Sequence, residues 1–467
     1  MSSHFSSDDK LIQMTQTPVR RLVVTMAVPT IISMLVTSVY NMADTYFVGK
    51  IGTSATAAVG VTLPLMSIFQ AIAYTLGQGS GNTVARLLGQ KKREDAEVFV
   101  SIAFFSAFFC GVIISALGTI LLEPLVGLLG ATATSAPYAS AYIRIILLGA
   151  PFIIASLTLN NQFRFQGNAV FGTIGIFAGA IINIVLDPVF IFKMSMGTGG
   201  AALATVLSQF LGFCILVCGT FRGTNIRLSF RRFCPTWKRY YIILLNGLPA
   251  FWRQALSSLA VVLLNIAGRS LGGDTVVAAM SIVSRVTLFA SYVILGLGQG
   301  YQPVCGFNYG AGLYERVRTA FVFLVRAALE ISLGLAVLGF VFAPQVVALF
   351  RRDDLEVIQV SALALRFQCL TFPLTAWITP TNMTLQTTGH SIQSMVLSMF
   401  QKGLTFVPLI LILPPLLGVF GIQISQSLAD IFTFLIALPL GLGVWRELRF
   451  DQGDEKDGEV EKIRDNE

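Results

Sequence analysis

The sequence predicts an all-α polytopic membrane protein, with twelve transmembrane helices in two parallel-repeat six-helix lobes. Three observations lead there. The 467 residues are 54% hydrophobic and only 12% charged, about half the charged share of an ordinary soluble chain. Mean hydropathy is +0.74, and 36 Phe residues add apolar surface that a soluble fold of this length cannot hide. Twelve apolar stretches can be drawn, and the two halves of the chain repeat one another at a near-constant offset. The same composition excludes a soluble enzyme, a nucleic-acid binder and a disordered linker.

In chain order, residues 1–21 read as a polar cytoplasmic N-terminal segment. Asp8 and Asp9 sit there without an early basic region, and no clear cleavage site follows, so the start is not read as a signal peptide. The spans then run roughly over 22–48, 56–83, 97–121, 138–160, 169–192 and 200–219, the N-lobe (22–219). A basic cytoplasmic linker fills 220–239. The C-lobe (240–445) carries 240–267, 276–304, 319–342, 360–386, 392–415 and 419–445. Each span is near or above the roughly 20 residues that cross hydrocarbon. The connections at 387–391 and 416–418 are short and make their helices antiparallel neighbours. The tail 446–467 is charged and is expected to be disordered from Asp451.

Orientation follows from Lys and Arg. With the N-terminus inside, the inner segments carry 21, among them Arg20, Arg21, Lys91, Lys92, Arg93, Arg231, Arg232, Lys238 and Arg239. The outer segments carry five: Lys50, Lys193, Arg269, Arg351 and Arg352. That bias places both termini in the cytoplasm and assigns the net charge of +8 to loops rather than to nucleic-acid contact. Five of the six cysteines lie in apolar runs and read as small hydrophobes. Cys214 and Cys218 have no nearby His or acid that would make a zinc site.

The repeat is carried by several matches. Ala57-Ala58 pairs with Ala278-Ala279, Leu76-Gly77-Gln78-Gly79 with Leu297-Gly298-Gln299-Gly300, and Gly89 with Gly310. Pro124 pairs with Pro344, Arg144 with Arg366, Pro151 with Pro373 and Gly167 with Gly389. Six spans per copy is an even number, so both copies enter the membrane in the same direction. Parallel repeats with a cavity between them are the architecture of an alternating-access carrier. No carbonyl filter or charged ring speaks for a channel, and no Gly-Lys-Ser or Gly-Lys-Thr follows Gly77–Gly81 to bind nucleotide.

Ionisable residues inside the spans are the candidates for function, because each is expensive in lipid. Asp44 lies near the outer end of span 1; a helix-end acid that reaches water or pairs with Lys50 is the structural alternative. Asn183 and Asp187 are four apart on span 5, hence on one face. Pro188 follows and leaves the Ile184 carbonyl without its helical donor, so a bend is expected there. Two acids and an amide can exchange a proton or cradle sodium. The C-terminal half has Thr405 and Leu409 or Pro408 at the corresponding places, so coupling is expected in the N-lobe alone. Arg326 and Glu330, four apart on span 9, are expected to pair. Arg253, Arg285, Asp430 and Lys402 are further buried charges, of which Arg253 and Asp430 are candidates for a substrate cavity together with Met34, Tyr40 and Asn41. Gln78, Gln299 and Asn308 read as packing or gating groups beside glycines that suit close helix crossing. His4 and His390 offer no relay. Aromatic and Met side chains would suit flat, amphipathic organic cations.

The run Asn41-Met42-Ala43-Asp44-Thr45-Tyr46-Phe47-Val48-Gly49 resembles the helix 1 signature of the multidrug and toxic compound extrusion (MATE) family. Asn183-Ile184-Val185-Leu186-Asp187-Pro188 resembles its helix 5 motif. Gly247-Leu248-Pro249 and Gly298-Gln299-Gly300-Tyr301-Gln302-Pro303, ending in Asn308-Tyr309-Gly310, look familial as well. The likeness covers residues 18–445 and is greatest to the prokaryotic DinF-like and MepA-like branches. It implies a V of two lobes in a prokaryotic cytoplasmic membrane, working as a monomer and not as an enzyme. It implies export of small, lipophilic, cationic drugs or metabolites by antiport with H+ or Na+, without any other cofactor. Asp44, Asn183 and Asp187 fall on the family's N-lobe cation-site motif, and they would be the ligands if the ion is sodium. Helix 1 bends near Pro29 in some members. The NorM-like branch has an important helix 7 glutamate, but Gln254-Ala255-Leu256-Ser257-Ser258 holds no acid here. A lipid-linked precursor flippase or a narrow metabolite exporter of the same superfamily is the alternative function, with a receptor or an uncoupled facilitator behind it.

Overall fold

Hydrocarbon offers backbone amides no partner, so a chain that crosses it repeatedly must do so as helices or as a closed barrel. The computed structural model describes residues 7–132, 134–221, 225–351 and 354–464, and it is helical with no strand among the described residues. His4, Arg352 and the last residues of the tail, 465–467, lie outside the described residues. The elements are α1 (Ser7–Gln16), α2 (Val19–Gly49), α3 (Thr53–Gly89), α4 (Arg93–Ile120), α5 (Leu122–Leu128), α6 (Ala136–Phe165), α7 (Ala169–Pro188) and α8 (Gly197–Thr220). They continue as α9 (Trp237–Gly310), α10 (Tyr314–Val341), α11 (Ala343–Ala348), α12 (Leu355–Thr371), α13 (Thr375–Thr388), α14 (Ser391–Met399), α15 (Phe406–Leu417) and α16 (Val419–Arg464).

Among the described residues, eleven helical stretches are long and apolar enough to cross a membrane. One of them, α9, runs for 74 residues, and it holds the expected spans 240–267 and 276–304 end to end. Gly273 breaks it with φ 58° and ψ −147°, a conformation that residues with a Cβ rarely adopt. The break restores the count to twelve. A 3-10 turn at Phe372–Leu374 joins α12 to α13 into one span, and a π turn at Phe400–Leu404 joins α14 to α15. The protein is a multi-pass, all-α membrane protein.

The duplication is visible in the element bounds. Helix α4 runs from Arg93 to Ile120 and α10 from Tyr314 to Val341, each 28 residues long. The two therefore keep one offset at both ends, and it is the offset at which Leu76-Gly77-Gln78-Gly79 recurs as Leu297-Gly298-Gln299-Gly300. Helices α3 and α9 stop at Gly89 and Gly310, which obey it too. Gly167 and Gly389 both take positive φ, 76° and 100°, where each connects two spans. The short helices α5 and α11 begin at matching places, Leu122 and Ala343, and are not among the sequence expectations. They are too short for a periodicity to register.

Two further differences concern the ends. The polar N-terminal segment contains the helix α1, and α16 continues through the charged tail to Arg464 instead of losing order at Asp451. The tail is rich in Glu, Lys and Arg, all good helix formers, and it extends a helix already nucleated by span 12.

The chain forms two compact units. One is built on Val28–Ala255, the other on Ile12–Ala27 together with the chain from Leu256 onward. Helices α2 and α9 therefore each contribute to both. Within the first unit, α3 and the start of α9 cross at glycines. A Cβ on Gly79 would strike the Ile243 carbonyl, and one on Gly247 would strike the Thr75 carbonyl. Gly77 meets Thr158 and Asn161 of α6 in the same way. Such contacts let backbones approach where lipid supplies no hydrophobic drive between helices. Phe104, Phe152, Phe210 and Phe213 pack among themselves, with Phe152 edge-on to Phe210 at 4.8 Å.

In the second unit the N-terminal segment is tied down by polar groups. Asn308 Nδ2 donates to the Met14 carbonyl at 3.1 Å, and Arg316 Nη2 donates to the Thr17 carbonyl at 2.6 Å. Met14 is wholly buried, and Gly300 admits the α2 backbone at Ala27.

Replacing Gly79 by Val is expected to cost about 1–3 kcal/mol by overpacking. Thermal unfolding of the purified variant in detergent checks this, and Gly60→Val, at a position with open space, should leave the melting point unchanged.

Candidate ion-coupling site

Asp44 is carried by α2 and Asp187 by the last turn of α7. After Pro188 the helix widens into a π turn over Val189–Lys193, and the Val189 N–H bonds the Leu186 carbonyl. This is the local disturbance that the proline dictates. Asp187 is 0% and Asn183 2% exposed. Asn183 Nδ2 lies 3.4 Å from Asp187 Oδ1 and 3.5 Å from Thr205 Oγ1 on α8. Tyr142 of α6 is buried and hydrogen-bonds Thr205, and the charges of both Asp44 and Asp187 act on it. Asp44 also acts on Asp187. Four helices of the first unit therefore bring two carboxylates, an amide, a phenol and a hydroxyl together.

The oxygen count sets this cluster apart. Asp44 Oδ1, Asn183 Oδ1 and Asp187 Oδ2 are all buried with no hydrogen-bond partner among the described residues. Native proteins leave few such atoms. Three in one cluster fit a group that the protein itself does not supply, and hard oxygen donors suit a proton or a small hard cation such as sodium. No ion pair joins Asp44 to Lys50; the ammonium of Lys50 sits 4.6 Å from the centre of the Tyr46 ring.

Helices α2 and α7 are joined by a hydrogen bond: Thr173 Oγ1 donates to the Pro29 carbonyl at 3.0 Å, about four turns before the acid of each helix. An apolar groove of about 390 Å³ opens beside Pro29, lined by Ile32, Thr173, Phe177 and Ile181. Helix α2 continues without interruption through Pro29.

The other sequence candidates are dispersed. Tyr40 is half-buried and interacts with Tyr142. Met34 is half-buried and Asn41 is exposed. Arg253 belongs to a second polar group of the first unit: it reaches Gln78 Oε1 at 3.4 Å and acts on Tyr74 and Arg164. Arg164, buried, donates to Asn161 Oδ1 at 2.7 Å. In the second unit Asp430 accepts from Gln426 Nε2 at 2.9 Å, and Lys402 Nζ donates to Gln426 Oε1 at 3.2 Å. Thr371 and Gln368 also bond Asp430. Asp430 thus sits in a satisfied network. Thr405, at the place of Asn183 in the repeat, lies 3.4 Å from Thr433 Oγ1, with no acid between them. Arg326 and Glu330 do not form the ion pair expected from their spacing. His390 Nε2 lies 3.2 Å from a Glu447 carboxylate oxygen.

Tyr142 and Thr205 are the members of the cluster that the sequence does not reveal. A single Tyr or Thr in an apolar span has no spacing that distinguishes it from its neighbours.

A bundle of apolar spans with an internal duplication and a buried carboxylate cluster defines a membrane transporter rather than an enzyme. The MatE family model matches residues 29–189 and 249–412, and the chain belongs to this family. It is similar to the multidrug export protein MepA of Staphylococcus saprophyticus, 26% identical over 443 residues, covering 92% of this chain and 95% of that one. A MATE crystal structure in complex with MaL6 matches with a TM-score of 0.89 and 27% identity, over 94% of this chain and 99% of that one. An outward-facing multidrug resistance MATE transporter of the MOP superfamily matches with a TM-score of 0.88 and 28% identity, over 94% and 98% of the two chains.

Because Asp430 is held by neighbours that donate to it, Asp430→Ala should lower stability by about 1–3 kcal/mol, leaving Lys402 without its acid. Asp430→Asn should recover most of that loss. Thermal melting of both variants separates the two.

Proposed function

We propose that the chain is a secondary active exporter of small lipophilic cations or related metabolites, driven by proton- or sodium-coupled antiport through alternating access. The observation that carries this reading is the set of three unpartnered, buried oxygens on Asp44, Asn183 and Asp187. The export of multiple drugs that names its staphylococcal relative supports the substrate class. Acids that accept an ion from one side and lose it to the other are what antiport requires.

The ion neutralises the acids and allows α2 to repack against α7. Pro29, where α2 lacks one backbone donor, is the place for that change, and its bond to Thr173 is what breaks or re-forms. Coupling then rests on the ion's differential affinity for the two states, and the inward gradient sets the direction. In this reading the protein lies in a prokaryotic cytoplasmic membrane with both termini inside, and one chain makes one pathway. Met34, Tyr40, Asn41 and Arg253 face substrate.

The test is efflux of a fluorescent lipophilic cation from proteoliposomes, with proton and sodium gradients imposed separately. Asp44→Asn and Asp187→Asn should each slow gradient-driven transport by about 5–150-fold, the range of a typical coupling energy, while leaving the melting point intact. The gradient that drives transport identifies the ion. Folded wild type that moves none of several chemically different cations would instead favour the lipid-linked precursor flippase or a narrow metabolite exporter.

A further inference from the structure

The second unit carries a cavity of about 620 Å³ that the transport reading does not use. Arg20 of α2, Trp445 of α16 and four charged residues of α10 line it: Glu315, Arg318, Arg326 and Glu330. Arg318, Arg326 and Glu330 follow one another at intervals of eight and four positions, on one face of α10. They reach about 18 Å along the helix axis from the first to the last. Arg326 and Glu330 are exposed side chains well inside a 28-residue apolar span, where a bare charge is costly. Their spacing would let them neutralise each other, yet they form no ion pair. Both head groups are left for something else.

We infer that this groove binds one anionic phospholipid from the leaflet at the α10 N-terminal end, with its phosphodiester held by Arg318 and Arg326. Under the orientation proposed above, that leaflet is the cytoplasmic one. Three lines converge on this occupant. Three guanidinium groups against two carboxylates leave one positive charge, which a single phosphodiester neutralises. The Arg318 guanidinium carbon lies 4.5 Å from the centre of the Trp445 ring, a cation–π contact that holds the group at the groove, where arginine can make a bidentate contact with phosphate. Trp445 has the chemistry of the membrane interface. Between the charged residues and just beyond them, the same helix exposes Val322, Leu329 and Leu333, which suit acyl chains. Arg20 stands at the mouth, on the segment that Asn308 and Arg316 fasten to this unit.

Native mass spectrometry of the full chain released from nanodiscs tests the proposal. The probes are phosphatidylglycerol and phosphatidylcholine of matched acyl chains, with inorganic phosphate as a further arm. Wild type should retain one phosphatidylglycerol, and Arg318→Gln with Arg326→Gln should lower its affinity by about thirtyfold, as the loss of two arginine contacts implies. Glu330→Gln, which removes a negative charge, should raise it. Equal retention of the two lipids by wild type overturns the proposal. So does unchanged retention in the arginine variant, loss in all variants alike, or displacement of the lipid by millimolar phosphate. Melting curves of the variants confirm that each is folded when it is scored.

Discussion

Lipid cannot satisfy a polar atom, and most of this structure is arranged around that constraint. The backbone meets it by closing every span on itself as helix. Side chains meet it by clustering: Asp430 with Gln426 and Lys402 in one unit, Arg253 with Gln78 in the other. In the cluster of Asp44, Asn183 and Asp187, three oxygens are closed off from water and have no hydrogen-bond partner among the described residues. Unsatisfied acceptors in such surroundings are tolerated when a visiting cation completes them. Under the proposed function, the polar cost of the site and its capacity to sense an ion are the same property.

The duplicated architecture and the acid cluster of one half are compatible because backbone and side chains answer to different demands. Helix lengths and glycine positions recur at one offset because the bilayer sets one thickness for both halves. No such demand fixes the polar side chains, so Asn183 in one half has Thr405 as its counterpart in the other. Two halves with one geometry and different chemistry can bind different ligands.

Much of the fold was legible because apolar span length and repeat offset are long-range, redundant signals. The twelve spans were readable even where helices run on, as at Gly273, since the apolar runs 240–267 and 276–304 stop on either side of it. Short helices such as α5 and α11 were not readable, and neither was the helical tail, whose composition suits both disorder and helix. Of the site, Asp44, Asn183 and Asp187 stood out because an acid in an apolar run is rare. Tyr142 and Thr205 did not, since they come from separate helices and only the packing of α6 and α8 brings them in. The expected pairing of Arg326 with Glu330 failed for a related reason. Spacing states that two side chains can meet, while the surroundings decide whether they do.

The anchoring of the N-terminal segment bears on how the chain is made. Met14 and Thr17 are held by Asn308 and Arg316, partners 294 and 299 residues away. During synthesis this segment must wait until its partners, 294 and 299 residues later, have followed before it can dock. Contacts of such sequence separation form late and set the pace of folding. The segment around Met14 and Thr17 is therefore among the last parts to find its place, and a chain stalled before residue 308 would carry it undocked.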